Sequence, residues 1–247
     1  MALKARSGWQ RAAKFFGVIA GLLIFTEIGS YLVLKALALR DRLAAVSKID
    51  VPSNFAAAYA LSAVPARCAL ERRQWKEAAA LTVPAAKVEW DRIPFAEANT
   101  HFAVALGAAR SNQPELAQRA IDRLAALRQV LLDRKDPYWP DQIEIQRLSA
   151  VAWLNHDLKT MQAAADLEAT TEKHPVTPGA IVPARELLSE MLLDAGKPEQ
   201  ALIEAQRALQ AAPNRYNGLR LAAEAAEKSG NSDAAKKYRA QITELRR

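Results

Sequence analysis

The chain is expected to be all-α: a solenoid of about five helical hairpins over residues 51–247, preceded by a long apolar helix. Three observations predict this class. Of the 247 residues 51% are apolar but only 6% aromatic, and the Ala, Leu and charged residues filling the rest lose little rotamer freedom in a helix. No stretch alternates with period 2 in Val, Ile or Thr, so nothing calls for a sheet. A helix–turn–helix pattern also returns after 34 residues in the C-terminal part, with Gly196 and Gly230 at one equivalent place and Ala201 and Ala235 at another.

The N-terminal 14 residues form a basic tail, with Lys4, Arg6, Arg11 and Lys14. The apolar element that follows is placed at 15–48, and its core, "FFGVIAGLLIFTEIGSYLVL" (15–34), carries the single charge Glu27. Twenty residues at a 1.5 Å rise reach about 30 Å, the thickness of a bilayer's hydrocarbon. The net charge of +7 concentrates here: residues 1–50 hold eight Lys/Arg against three Asp/Glu, and the remaining 197 hold 26 against 24. A basic flank of this kind puts the N-terminus in the cytoplasm and the repeats outside it. Glu27 opposes insertion by roughly 2.5–3.5 kcal/mol. Two alternatives stay open. A cleaved signal lacks a clean small-residue site near Lys35. A soluble chain is the other, in which residues 30–50 form a degenerate hairpin over the apolar end of the stack. Where the Glu27 carboxylate points separates them. No basic patch interleaved with aromatics occurs elsewhere, so nucleic-acid binding is not expected.

Along 51–247 the hairpins are read from their turns. "PARCALERRQWKEAAAL" turns at Arg73, with Ala78 as the small residue of its second helix. Pro65 predicts a kink or break near Ala63. "FAVALGAARSNQPELAQRAIDRLAAL" turns at Asn112, with Pro114 in the next first turn and Ala117 at the small position. The loop "DRKDPYWPDQ" (133–142) leads into a helix that Asp141 and Glu144 are expected to open as a capping box. Tyr138 and Trp139 are expected to fold back onto the stack, with ligand stacking as the alternative. The third hairpin turns near His156, capped by Asp157 or Asn155, and "EKHPVTPG" (172–179) breaks the chain before the fourth.

The clearest unit is "LSEMLLDAGKPEQALIEAQRALQAAPNR". Gly196 suits the left-handed cap, Pro198 sits in the next first turn, and Ala201, Ala205 and Ala208 form one narrow face. "LAAEAAEKSGNSDAAKKYRAQI" repeats it, with Ser232 expected as N-cap. Through Leu188, Leu192, Gly196, Ala201, Ala208 and Pro213, then Gly230 and Ala235, the pattern resembles the tetratricopeptide repeat, although Arg185 and Leu219 stand where a large aromatic is usual. Residues from about 54 to 246, through "FAAAYALSAVPARCALERRQWKEAAAL", "ANTHFAVALGAARS", "ATTEKHPVTPG" and "PARELLSEMLL", also resemble the C-terminal half of longer bacterial proteins of this repeat class. That resemblance implies an all-helical scaffold with no catalytic residue to carry over. Here a basic-apolar leader stands in place of the upstream repeats such relatives carry, so localisation is taken from the basic flank and not from the resemblance: a repeat domain on the periplasmic side of a bacterial inner membrane is expected.

The chemistry-bearing residues are few. His101, His156 and His174 are far apart, and no metal-ligand spacing, phosphate loop or nucleophile motif is present. Neither cofactor nor metal is expected, and the chain reads as a non-enzyme. The opposing readings are a groove enzyme or accessory subunit around His101, and a structural membrane-assembly factor. Cys68, the sole cysteine, reads as a small buried hydrophobe. A protein or peptide partner is the expected ligand, because the first helices of such hairpins line the concave face. The candidate groove residues are Arg67, Asn99, Phe102, Arg110, Gln146, Trp153, Glu186, Glu190, Asn217 and Arg220. Phe102 and Trp153 are either anchors for a partner or fillers between hairpins.

Overall fold

Residues 38–43, 45–46, 55–85, 88–171 and 179–245 are described by a computed structural model. The apolar run 15–34, with Glu27, and the loop 172–178, with His174, lie outside the described residues. All secondary structure among the described residues is helical. The helices are α1 (Phe55–Glu71), α2 (Trp75–Ala79), α3 (Pro94–Ala109), α4 (Pro114–Asp133), α5 (Trp139–Asn155), α6 (Leu158–Thr170), α7 (Ala184–Asp194), α8 (Pro198–Ala211), α9 (Tyr216–Lys228) and α10 (Ser232–Glu244). A 3-10 turn, Trp90–Arg92, precedes α3.

Consecutive helices pair into five antiparallel hairpins. The odd-numbered helices touch one another in order, α1 to α9, as an inner row, and each even-numbered helix packs on its own partner and on the next odd one. One chemistry closes all five hairpins. Arg73, Asn112, His156, Gly196 and Gly230 have φ of 57°, 58°, 54°, 70° and 80°. The following N–H returns to the carbonyl five residues back in each case: Gln74 to Ala69 (2.9 Å), Gln113 to Ala108 (3.0 Å), Asp157 to Ala152 (2.9 Å), Lys197 to Leu192 (2.9 Å) and Asn231 to Ala226 (2.8 Å). This is the six-to-one bond of a Schellman cap. Three of the five turns use a side-chain-bearing residue, at a cost of about 1–2 kcal/mol each.

Small residues let the rows approach. Ala117, Ala201, Ala205 and Ala235 are buried at the small positions. Gly107 of α3 lies so close to α2 that an added Cβ would stand 2.6 Å from both Ala79 N and Trp75 O. Trp139 stacks on Phe95 at 4.1 Å between centroids, with Tyr138 edge-on at 4.9 Å, so the loop aromatics do pack onto the stack. Upstream, the helical stretch 38–43 buries Leu39 and Leu43 against Leu61, and Arg40 reaches Glu77 at 2.7 Å. That stretch covers the open end of the first hairpin. No helix among the described residues is long and apolar enough to cross a membrane.

Three local expectations are corrected. α1 runs unbroken through Pro65; the packed alanine and leucine positions on either side, Leu61, Ala63, Ala66 and Ala69, hold the helix together across the missing N–H. The start of α5 is capped by Asp136, not by Asp141 with Glu144: Asp136 accepts from Tyr138 N (2.9 Å) and Trp139 N (2.8 Å), while Glu144 is held by Arg147 and Arg128. Asn231, one residue before Ser232, caps α10 by accepting from Ala234 N at 3.2 Å. Asp157 caps α6 as expected.

Candidate functional site: a charged seam joining the first and last hairpins

The inner row curls until the end of α1 meets α7 and α9, and charged side chains make the junction. From α1, Arg67 donates to the carbonyls of Gly179 (3.1 Å) and Ala180 (2.7 Å). Glu71 accepts from Arg215 at the N-cap of α9 and from Asn217 Nδ2 at 2.8 Å; its own carbonyl takes a further bond from that amide at 2.9 Å. Arg215 also forks onto Glu186 of α7, Nε to Oε1 at 2.7 Å and Nη2 to Oε2 at 3.1 Å. In the first turn, Arg73 pairs with Glu190 of α7.

Glu190 is shared with Arg110, at 3.1 Å. The Arg110 guanidinium lies between two tryptophans, its central carbon 4.2 Å from the Trp75 ring centroid and 3.8 Å from that of Trp153. This one side chain ties together the first four hairpins. Guanidinium faces over indole rings are favourable, more so when dry. Arg220 of α9 donates to Asn217 Oδ1 (3.2 Å) and to Glu224 (3.2 Å).

Burial works against five charges of this seam, those of Arg67, Arg110, Arg215, Arg220 and Glu186. It lowers the pKa of Arg67, Arg110 and Arg220, and the neighbouring Arg73 lowers the last two further. It raises Glu186, against the pull of Arg215. For Arg215 burial also pulls downward, but the carboxylates of Glu186 and Glu71 overcome it and hold the guanidinium above its usual value. Charges in so dry a place persist only because they are paired.

Compared with protein-family models, with curated proteins and with solved structures, the chain matches none. The reading of the site therefore rests on its geometry.

Seven of the ten sequence-derived groove residues meet at the seam: Arg67, Arg110, Trp153, Glu186, Glu190, Asn217 and Arg220. Asn99, which is buried, and half-buried Gln146 form a neighbouring pair, Gln146 Nε2 donating to Asn99 Oδ1 at 3.2 Å, with Ser62 beneath. Phe102 is 2% exposed and belongs to the hydrophobic core, and Trp153 is packed against Arg110, so both fill space between hairpins. His101 lies elsewhere: it pairs with Glu97 (3.1 Å), which also holds Arg123 of α4 (2.9 Å). Cys68 is buried, and burial pushes its thiol up to about 11. Among the described residues no group of His, Cys, Asp and Glu is gathered as a metal would require.

Sequence reasoning missed Glu71, Trp75 and Arg215, and saw Arg73 only as a turn residue. All four sit at helix ends or in turns, where helical spacing gives no face to read. Arg215, two residues after the proline that closes the fourth hairpin, was the available signal. Between the walls lies a cavity of about 20 Å³ bordered by Arg73, Trp75, Glu190, Asn217 and Arg220, room for one water molecule.

Proposed function

We propose that this chain is a non-catalytic helical-repeat scaffold of the tetratricopeptide type, binding a protein or peptide partner along its charged inner row. The observation that carries the reading is convergence. Polar side chains from three of the five inner helices, α1, α7 and α9, and from turns and caps beside the inner row, gather at one seam instead of dispersing into solvent. A hairpin stack needs none of this for stability, since buried ion pairs are weak stabilisers against well-packed apolar residues. The repeated turn chemistry, with the same six-to-one bond in five hairpins, supports the repeat-scaffold half of the proposal.

Residues 15–34 would hold this scaffold at a bilayer, with the repeats outside the cytoplasm. Docking of the 38–43 stretch onto the first hairpin supports a fixed connection, because the apolar run ends only a few residues upstream.

Site-directed photo-cross-linking in cells tests the partner. A cross-linking residue at Asp194, on the seam's rim, should give a discrete adduct, and one at Arg119, on the exposed face of α4, should not. Adducts from position 119 alone, or none from either, would sink the reading. Carbonate extraction of the full chain tests the anchor, which predicts retention in the membrane pellet and release when 15–34 is deleted.

A further inference from the structure

Fourteen residues, Ala80 to Ile93, join α2 to α3, where five join α4 to α5 and four join α8 to α9. Connections between packed helices usually take about two to eight residues, and longer ones commonly carry function. The composition of this loop is as unusual as its length. Leu81, Val83, Pro84, Val88, Trp90 and Ile93 are apolar, and each is left half-buried. The loop is nonetheless fixed. Trp90 Nε1 donates to the Pro84 carbonyl at 3.3 Å, and Arg134, just past the end of α4, donates to the Asp91 carbonyl at 2.7 Å. An apolar edge is thus held partly in solvent, as at an interaction surface.

The position of that edge selects its occupant. Val88 and Trp90 pack with Val46 and Val64 onto Leu39 and Leu43, so the edge is continuous with the 38–43 stretch. The apolar run ends at Leu34, four residues before Ala38, and four residues span at most about 14 Å. The headgroup layer on each side of a bilayer is about 5–8 Å deep. A chain that crosses at 15–34 therefore keeps this face at the headgroups or just above them. Charge adds no pull towards acidic lipid, because exposed Arg42 and Arg92 are matched by exposed Asp41, Glu89 and Asp91.

We infer that the edge formed by Val83, Val88 and Trp90 rests on the lipid interface of the bilayer that 15–34 enters, as a second contact beside the anchor. Indole rings favour this zone, and apolar neighbours add to the attraction by leaving water. A single span lets the stack swivel on its tether. A second contact fixes its tilt, so the rim of the seam is presented to partners in one orientation. The inference rests on the anchor reading above.

The test places one nitroxide on the full chain, at Glu89→Cys in a Cys68→Ala background. The protein is held in phosphatidylcholine vesicles that carry a nickel-chelating headgroup lipid. The Glu89 side chain is 69% exposed, so a label there displaces no packed group. Headgroup-bound nickel should relax this label severalfold more than one at Lys236, 78% exposed on α10. Val83→Asp should lower the relaxation at position 89 and leave carbonate extraction unchanged. Retention in the membrane pellet with equal relaxation at positions 89 and 236 overturns the lipid contact and leaves the anchor standing. Release by carbonate removes the anchor, and this contact with it. Spin–spin broadening that grows with label density assigns the face to a second copy of the chain and likewise overturns the lipid contact.

Discussion

Arg215 holds Glu186 in a two-pronged bond, 2.7 Å from Nε and 3.1 Å from Nη2, with the arginine side chain 8% exposed and the glutamate 2%. The pair joins the start of α9 to α7, and the same Nη2 extends to Glu71 of α1. Replacing Glu186 by alanine leaves a buried guanidinium with one carboxylate in place of two. A loss of about 3–5 kcal/mol is expected, the usual cost of breaking a buried pair from one side. The double replacement Glu186→Met with Arg215→Met should recover much of it. Urea unfolding of the single and double variants makes the comparison, and equal losses in both would show that the charges, once paired, do not depend on each other.

Gly107 and Gly196 predict opposite kinds of damage from the same added methyl. At Gly107 a Cβ meets backbone atoms, Ala79 N and Trp75 O, both at 2.6 Å. Backbone cannot swing aside, so Gly107→Ala should part α2 from α3 at about 1–3 kcal/mol, the range for overpacking. At Gly196 nothing lies within 4 Å and the cost is conformational, from a φ of 70°, about 1 kcal/mol or a little more. Unfolding midpoints rank the two, and amide exchange in α2 should accelerate only in the Gly107 variant.

The contrast between turns and seam shows what the chain makes legible. Gly196, Gly230, Pro114 and Pro198 announce their places because only a few residue types tolerate left-handed or first-turn geometry. Asn112, Arg73 and His156 follow from the register of the glycine turns, and all adopt the same conformation. Caps were legible only to within a residue or several, as Asn231 and Asp136 show, since several polar residues at a helix start compete for the same free N–H groups. The inner-row residues could be found because helical spacing fixes which face they share. Their mutual pairing could not. Glu71 and Arg215 stand 144 positions apart, and no local pattern encodes how far a stack of hairpins curls. Phe102 shows the same limit from the other side, since inward and inter-hairpin directions differ by a fraction of a helical turn.

Glu168 makes stability depend on pH. Its carboxylate accepts from Ala184 N at 2.8 Å, at the start of α7, and burial lifts its pKa from 4.5 to about 7. Between those values the folded chain binds more protons than the unfolded one. Its contribution is therefore fully present below about pH 4.5 and is lost as pH rises through 7. Glu168→Gln removes the titration and keeps an acceptor for Ala184. The variant should match wild type near pH 5 and exceed it at pH 8 by on the order of 2–3 kcal/mol. Chemical denaturation across that range decides it, and parallel profiles would place Glu168 in water.

Glu71 is the one carboxylate that α1 offers to α9, and reversing its charge tests what closes the stack. In Glu71→Lys an ammonium faces Arg215, and Asn217 Nδ2 keeps only the Glu71 carbonyl as acceptor. α1 and α9 are not extensively packed on each other, so what else resists separation is the neighbouring Arg73–Glu190 pair, the Arg67 bonds to Gly179 and Ala180, and the Arg110 link from Trp75 to Glu190. Amide exchange should therefore accelerate at the end of α1 and the start of α9, with α4 and α5 unchanged, and small-angle scattering should record a larger radius of gyration. Glu71→Gln, which keeps an acceptor for Asn217, should fall between the two. If exchange and radius both stay as in wild type, the apolar side chains beneath the seam, Leu70 and Leu221, suffice to hold the ends together, and the charges above them serve recognition alone.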